Sequence, residues 1–118
     1  MVHNTDGCPT AIALGLTKTD SNRYALQDFA DSKGAQYYDH WEDFESVVRA
    51  ALKPDSTTII HFNLEGIRNP AQWAETANLK NPYASDLTAW ELAMIKAAPP
   101  EVQARVQWAN GSNPFAKP

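Results

Sequence analysis

The chain has 118 residues, 43% of them hydrophobic and 20% charged, with eight prolines, five glycines and a single cysteine. That length suits one core, because two halves would each be too small to bury enough surface. Fourteen acidic against ten basic residues leave a net charge of −4, opposite in sign to the basic footprint behind most non-specific nucleic-acid affinity.

No apolar run approaches the roughly 18 residues of a membrane span, so no membrane insertion is expected. The start, Met1-Val2-His3-Asn4-Thr5-Asp6, lacks the basic and apolar parts of a secretory signal, and export is expected to depend on something outside this chain. One domain over 1–118 is expected, with loosely ordered ends at 1–10 and 110–118. Cys8 has no second cysteine for a disulfide or a thiolate metal cluster and reads as a structural or incidental thiol before a nucleophile.

Taken in chain order, Ala11 to Leu16 (AIALGL) is a short apolar run suited to a buried strand. Thr19-Asp20-Ser21-Asn22 then offers helix caps for a helix over about Ser21 to Ser32, with Leu26, Phe29 and Ala30 on one face and Gly34 as its left-handed stop. Ala35 to Tyr38 reads as a second short strand. Trp41, Phe44, Val47, Val48, Ala51 and Leu52 recur at spacings of three and four, an amphipathic helix closed by Lys53-Pro54. Within seven residues at its start stand Asp39, Glu42, Asp43 and Glu45, either a solvated helix start or a docking surface for a basic partner.

Thr57 to Leu64 (TTIIHFNL) is β-branched at its start and alternates, with Thr58, Ile60, Phe62 and Leu64 on one side and Thr57, Ile59, His61 and Asn63 on the other. It is the expected central strand. Asn69-Pro70 begins a helix leading to Trp73 and Ala77. Ser85 or Asp86 caps the next helix, which runs to Ala98, and Val102 to Trp108 is a further helical turn or a last strand. This alternation predicts a small three-layer α/β domain, with a mostly parallel sheet of three to four strands and helices on both faces. Such sheets bind ligands outside the carboxyl ends of their strands, here Gly15–Thr19, Tyr38–Trp41 and His61–Arg68.

Glu91 is the most informative residue. The helix carrying it has apolar positions Leu87, Trp90, Met94, Ile95 and Ala98, and at about 100° per residue Glu91 falls inside that stripe. A carboxylate aimed at the core requires a partner such as Arg68, Lys96 or Arg105, or a ligand. His61 and Asn63 form a polar side of the central strand, which Glu65 continues into the loop. That side is either an ordinary hydrogen-bonded strand face or part of a site. The histidines show no metal-ligand spacing, so no metal is expected. Ser46 and Ser85 lie in no nucleophile elbow. Leu14-Gly15-Leu16-Thr17-Lys18-Thr19 leads into a capped helix whose free N–H groups suit an anion, with Lys18 and Arg23 as the nearby cations. Trp41, Trp73 and Trp90 lie at core spacing, and Trp90 is also placed to wall a cleft beside Glu91.

Three segments taken together, Ala13-Leu14-Gly15-Leu16 with Leu26-Gln27-Asp28-Phe29-Ala30, Ile60-His61-Phe62-Asn63-Leu64-Glu65-Gly66, and Leu87-Thr88-Ala89-Trp90-Glu91-Leu92, resemble a C-terminal toxin module of bacterial polymorphic toxins. These are of the Rhs-repeat and contact-dependent-inhibition type. The closing Asn113-Pro114-Phe115 resembles the ending of that module, whereas Ile67-Arg68-Asn69-Pro70 departs from its more acidic, tryptophan-containing run. The resemblance implies a domain delivered on a larger carrier protein, acting in the target-cell cytoplasm and neutralised at home by a cognate immunity protein. A strand ending in Leu64-Glu65-Gly66, followed by Asp86-Leu87-Thr88-Ala89-Trp90-Glu91-Leu92 at a helix start, is also similar to nucleoside deoxyribosyltransferases and the related TIR-type NAD-cleaving domains. That similarity implies Glu91 as the catalytic glutamate, with Asp86 and Thr88 beside it.

The resulting expectation is an effector enzyme that cleaves or transfers across an N-glycosidic bond of NAD or a nucleotide. Glu91 opposes the charge on the ribose, and His61, Asn63 and Glu65, with Arg68, Asp86, Thr88 and Trp90, hold the substrate. No cofactor is required, NAD being a substrate. The alternatives are a metal-independent ribonuclease toxin, with His61 as acid or base and Lys18, Arg23 or Arg68 at the phosphate, and a non-catalytic acidic module of the immunity-protein type.

Overall fold

The computed structural model describes residues 10–16, 18–38, 41–81 and 86–116, and the side chains of 41–44 lie outside the description. Cys8, Asp39 and Ser85, and the side chains of Trp41, Glu42, Asp43 and Phe44, therefore fall outside the description. The elements run β1 (Ala11–Gly15), α1 (Ala25–Lys33), α2 (Trp41–Ala51), β2 (Ile59–Asn63), α3 (Pro70–Glu75), α4 (Leu87–Lys96), α5 (Pro100–Gln103) and β3 (Val106–Ala109). The three strands form an all-parallel sheet in the order β1-β2-β3.

Alternation along each strand sorts the side chains into two cores, because successive residues point to opposite faces. Ile12 and Leu14, Ile60 and Phe62, and Val106 pack with Val48, Ala51 and Leu52 of α2 and its end, Ala74 of α3, Trp90, Leu92 and Ile95 of α4, and Val102 of α5. On the opposite face Ala13 packs with Leu26, Phe29 and Ala30 of α1 and with Ala35. The result is the three-layer α/β arrangement with helices on both faces. Among the described residues no helix is long and apolar enough to cross a membrane.

Local chemistry explains where the elements depart from expectation. α1 begins at Ala25, not near Ser21, because the polar residues ahead of it bond their own loop. Thr19 Oγ1 accepts from Asn22 N (3.1 Å), and Asn22 Oδ1 accepts from Tyr24 N (2.9 Å). Gly34 ends the helix in the left-handed region (φ 64°). The expected strand at Ala35–Tyr38 shrinks to one parallel bridge, Gln36 to Ile12, with Gln36 N donating to Ala11 O (2.8 Å) and Gln36 O accepting from Ala13 N (3.2 Å). Pro70 does occupy the first turn of α3, but Asn69 (φ 50°) makes no side-chain cap, and its carbonyl accepts from Trp73 N (3.0 Å) instead. Val102–Trp108 resolves into both readings, a turn of α5 followed by β3. Residues 110–116 run back along the sheet, and Phe115 meets Trp108 edge-on at 6.0 Å.

The placement of Gln36 fixes the direction of winding. The chain leaves β1 through α1 to a bridge on one edge of β1, then returns through α2 to β2 on the other edge. The carboxyl ends of β1 and β2 thus flank the point where strand order reverses, the position at which open α/β sheets form a crevice.

At the opposite end of the sheet, Arg105 ties three segments together. Its guanidinium donates to the carbonyls of Ala51 (2.9 Å), Thr58 (2.6 Å) and Lys53 (2.8 Å). Arg105→Ala is expected to lower stability by about 2–3 kcal/mol, since charge-assisted bonds to partly buried carbonyls are lost. Chemical denaturation measures this, and a change below about 0.5 kcal/mol would show that water replaces the guanidinium.

Candidate functional site

α4 is apolar almost all round, so it is buried on most of its circumference instead of along one stripe. Thr88, Ala89, Trp90, Glu91, Leu92, Ala93 and Ile95 are all buried, while Leu87 and Met94, expected on the core face, are more exposed. Of the two expected caps, Ser85 and Asp86, Asp86 takes the role, its Oδ1 accepting from Thr88 N (2.9 Å) and Ala89 N (3.4 Å). Glu91, one turn further, is 2% exposed.

The Glu91 carboxyl reaches the carboxyl end of β1, where Oε1 accepts from the backbone N–H of Gly15 at 3.3 Å. Among the described residues that is the one hydrogen bond its carboxyl makes, and no cation pairs with it. The basic partners considered from sequence lie elsewhere: Arg105 holds the carbonyls at the other end of the sheet, while Arg68 and Lys96 are exposed. Burial raises the Glu91 pKa well above the ordinary carboxylate range; the Gly15 N–H opposes this, and the nearby Asp86 charge adds to it. The neutral carboxylic acid is accordingly favoured in the folded state.

The strand ends around Glu91 interlock. Gly15 has φ +136°, which only glycine adopts without strain, and a Cβ there would stand 2.7 Å from the Asn63 carbonyl oxygen. Asn63 is buried and accepts through Oδ1 from Glu65 N (3.0 Å) and from Asn110 Nδ2 (2.7 Å), joining the loop after β2 to the loop after β3. Gly66 (φ +81°) packs on the loop after β1, its absent Cβ lying 3.1 Å from Leu16 Cδ1.

Lys18 and Arg23, on the loop after β1, and Glu65 and Arg68, on the loop after β2, are exposed at this same end of the sheet. The Arg23 guanidinium lies 5.8 Å from the centre of the Tyr24 ring. His61 stands apart from this group. It is half-buried on the face that α1 covers, mid-strand, with its pKa lowered by burial and then by Lys33 at the end of α1. It is therefore separated by the sheet from α4 and Glu91. Trp90 is fully buried, with the Arg49 guanidinium 5.4 Å from its ring centre, and in this conformation belongs to the core instead of walling a cleft. Thr88 is buried beneath the cap.

The structure thus sets Glu91 against the carboxyl end of β1, Asn63 at the carboxyl end of β2, and Lys18, Arg23, Glu65 and Arg68 on the loops that leave those two ends, with His61 mid-strand on the α1 face and Trp90 in the core. The Gly15 N–H and Asn110 belong to the same end and carry no side-chain signature at the sequence level; only the glycine closing an apolar run marked the first. Among the described residues no cluster of three or more His, Cys, Asp or Glu is placed to hold a metal ion. No family model, curated protein or solved structure matches the chain.

Proposed function

We propose that this domain is an enzyme that breaks, or transfers across, the N-glycosidic bond of NAD or a related nucleotide, with Glu91 as the catalytic carboxyl. The observation that carries this reading is the Glu91 carboxyl itself, buried at the carboxyl end of β1 without a countercharge among the described residues. Perturbed carboxyls in such positions are characteristic of sites that handle developing charge.

As the C1′–N bond breaks, its electron pair leaves with the base and the ribose becomes oxocarbenium-like. A carboxylate beside it opposes that charge in surroundings that screen weakly. A water then adds hydroxide to C1′ and releases a proton, or an acceptor nucleophile takes its place. Burial raises the Glu91 pKa in the free protein, and the positive charge of the reacting sugar favours its ionised form. The Gly15 N–H holds one carboxyl oxygen in place throughout. Substrate entry requires the loops after β1 and β2 to part, and Lys18, Arg23 and Arg68 on those loops are the cations available to phosphates. In keeping with its resemblance to polymorphic-toxin modules, the domain would be delivered on a carrier protein, act in the target-cell cytoplasm and be held by an immunity protein.

Inducible expression with joint measurement of growth, NAD and RNA integrity tests this. Growth arrest with falling NAD and intact RNA is expected, and Glu91→Gln restores both growth and NAD. RNA fragmentation at constant NAD, lost in His61→Ala, would replace this reading with the ribonuclease one, and an unchanged nucleotide pool with intact RNA would leave a binding module.

A further inference from the structure

A concavity lies outside the site described above. Residues 113–116 face the end of α4, α5 and the start of α3, and between them stands a groove of about 810 Å³ walled by Ala71, Ala98, Pro100, Ala104, Pro114 and Phe115. Alanines stand where longer side chains would fill it, and its size and apolar walls are those of a small-molecule site. Lys96 is the one charged residue among the described residues that line it, in a chain whose net charge is −4. Gln103 donates its amide nitrogen to the carbonyls of Lys96 (3.3 Å) and Ala98 (3.2 Å), which covers carbonyls at the negative end of α4. Asn113 Oδ1 accepts from Phe115 N (2.9 Å), which leaves the Asn113 NH2 as the donor it can offer. A smaller hollow of about 360 Å³ meets Lys96 from the side of α3, but Glu75 lines it, so the larger groove is the one that suits an anion.

We propose that this groove binds a carboxylate with an apolar body, of the fatty-acid type, its chain against Pro100, Pro114 and Phe115 and its head on the Lys96 ammonium. Shape and charge together choose the class. An apolar chain removes the groove walls from water, an anionic head is attracted by Lys96, and a cationic head is repelled. Nothing in this binding depends on the role of Glu91, which lies at the carboxyl end of β1.

Octanoate, octan-1-ol and octylammonium share one chain length and differ in the charge of the head. Titrated into the full chain and followed by amide NMR, octanoate is expected to shift the Ala98, Gln103, Ala104 and Phe115 signals saturably, with a Kd of roughly a millimolar for a molecule of this size. Its preference over octan-1-ol is expected to be about two- to fivefold, as one exposed charge pair supplies, with octylammonium the weakest of the three. Lys96→Met keeps an apolar stem and is expected to make octanoate and octan-1-ol bind alike. Ala104→Trp, at an exposed position, is expected to fill the groove and weaken all three. Shifts that do not saturate or that avoid the groove, affinities indifferent to the head, or a preference for octanoate that survives Lys96→Met overturns the proposal.

Discussion

Glu91→Gln is expected to cost activity and add stability at the same time. The loss of turnover on NAD is expected to be about 10²–10³-fold or greater, the range seen when a preorganised group that opposes developing charge is removed. The stability change follows from proton linkage. In the unfolded chain Glu91 ionises near its ordinary value of 4.5, while in the folded protein burial holds its pKa well above that. Below the ordinary value both states are protonated and the group leaves stability unaffected by pH. As pH rises past it, the unfolded state sheds its proton first, and the wild type loses about 1.4 kcal/mol per pH unit until the folded carboxyl ionises too. Glutamine has nearly the same shape, still accepts from the Gly15 N–H and does not titrate. Thermal melts from pH 4 to 8 should therefore show the variant drawing ahead of the wild type as pH rises, by roughly 4 °C for each kcal/mol. Parallel melting curves across that range, or a variant with full turnover, would remove the special status of this carboxyl.

The largest stability effect belongs to Gly15. In Gly15→Ala the new methyl would stand 2.7 Å from the Asn63 carbonyl oxygen and 3.3 Å from its Cβ, and the strand register, Gly15 opposite Asn63, leaves the backbone no room to withdraw. The φ of +136° adds strain of its own. A loss of about 3 kcal/mol or more is expected on denaturation, combining strain with overpacking. Gly34→Ala supplies the comparison: its φ is +64°, but nothing lies within 4 Å of the added carbon, and the expected loss is about 1 kcal/mol. Since Gly15 also carries the donor to Glu91, Gly15→Ala should depress turnover beyond what its unfolded fraction explains. A Gly15→Ala protein no less stable than Gly34→Ala would mean that the strand ends do not interlock as described.

How much of this was legible beforehand depends on the range of the interactions involved. β1, β2 and the Asp86 cap are written in local patterns, an apolar run, a β-branched alternation and an acid ahead of an apolar helix, and these read correctly. Glu91 stood out because one carboxylate among apolar neighbours violates helical periodicity. Its partner did not, because the Gly15 N–H lies 76 residues away and a backbone donor has no residue type to betray it. The side of the sheet was similarly hidden: His61 and Glu91 both read as chemistry, yet only the packing of α1 and α4 on opposite faces separates them. Trp90 reads first as core and second as a cleft wall, and the breadth of the buried face of α4 decides for core. The Ala35–Tyr38 segment keeps only the Gln36 bridge, a shortening that its residue types do not mark.

Burial holds the Glu91 pKa above the ordinary carboxylate range at the end of β1, and positive charge arriving beside it is expected to favour the ionised form. Carbon NMR of the Glu91 side-chain carboxyl, assigned by comparison with Glu91→Gln, observes this directly. The expected result is a protonated carboxyl at neutral pH in the free protein that ionises on addition of NAD. A carboxyl that titrates in the ordinary glutamate range and ignores NAD would contradict the account.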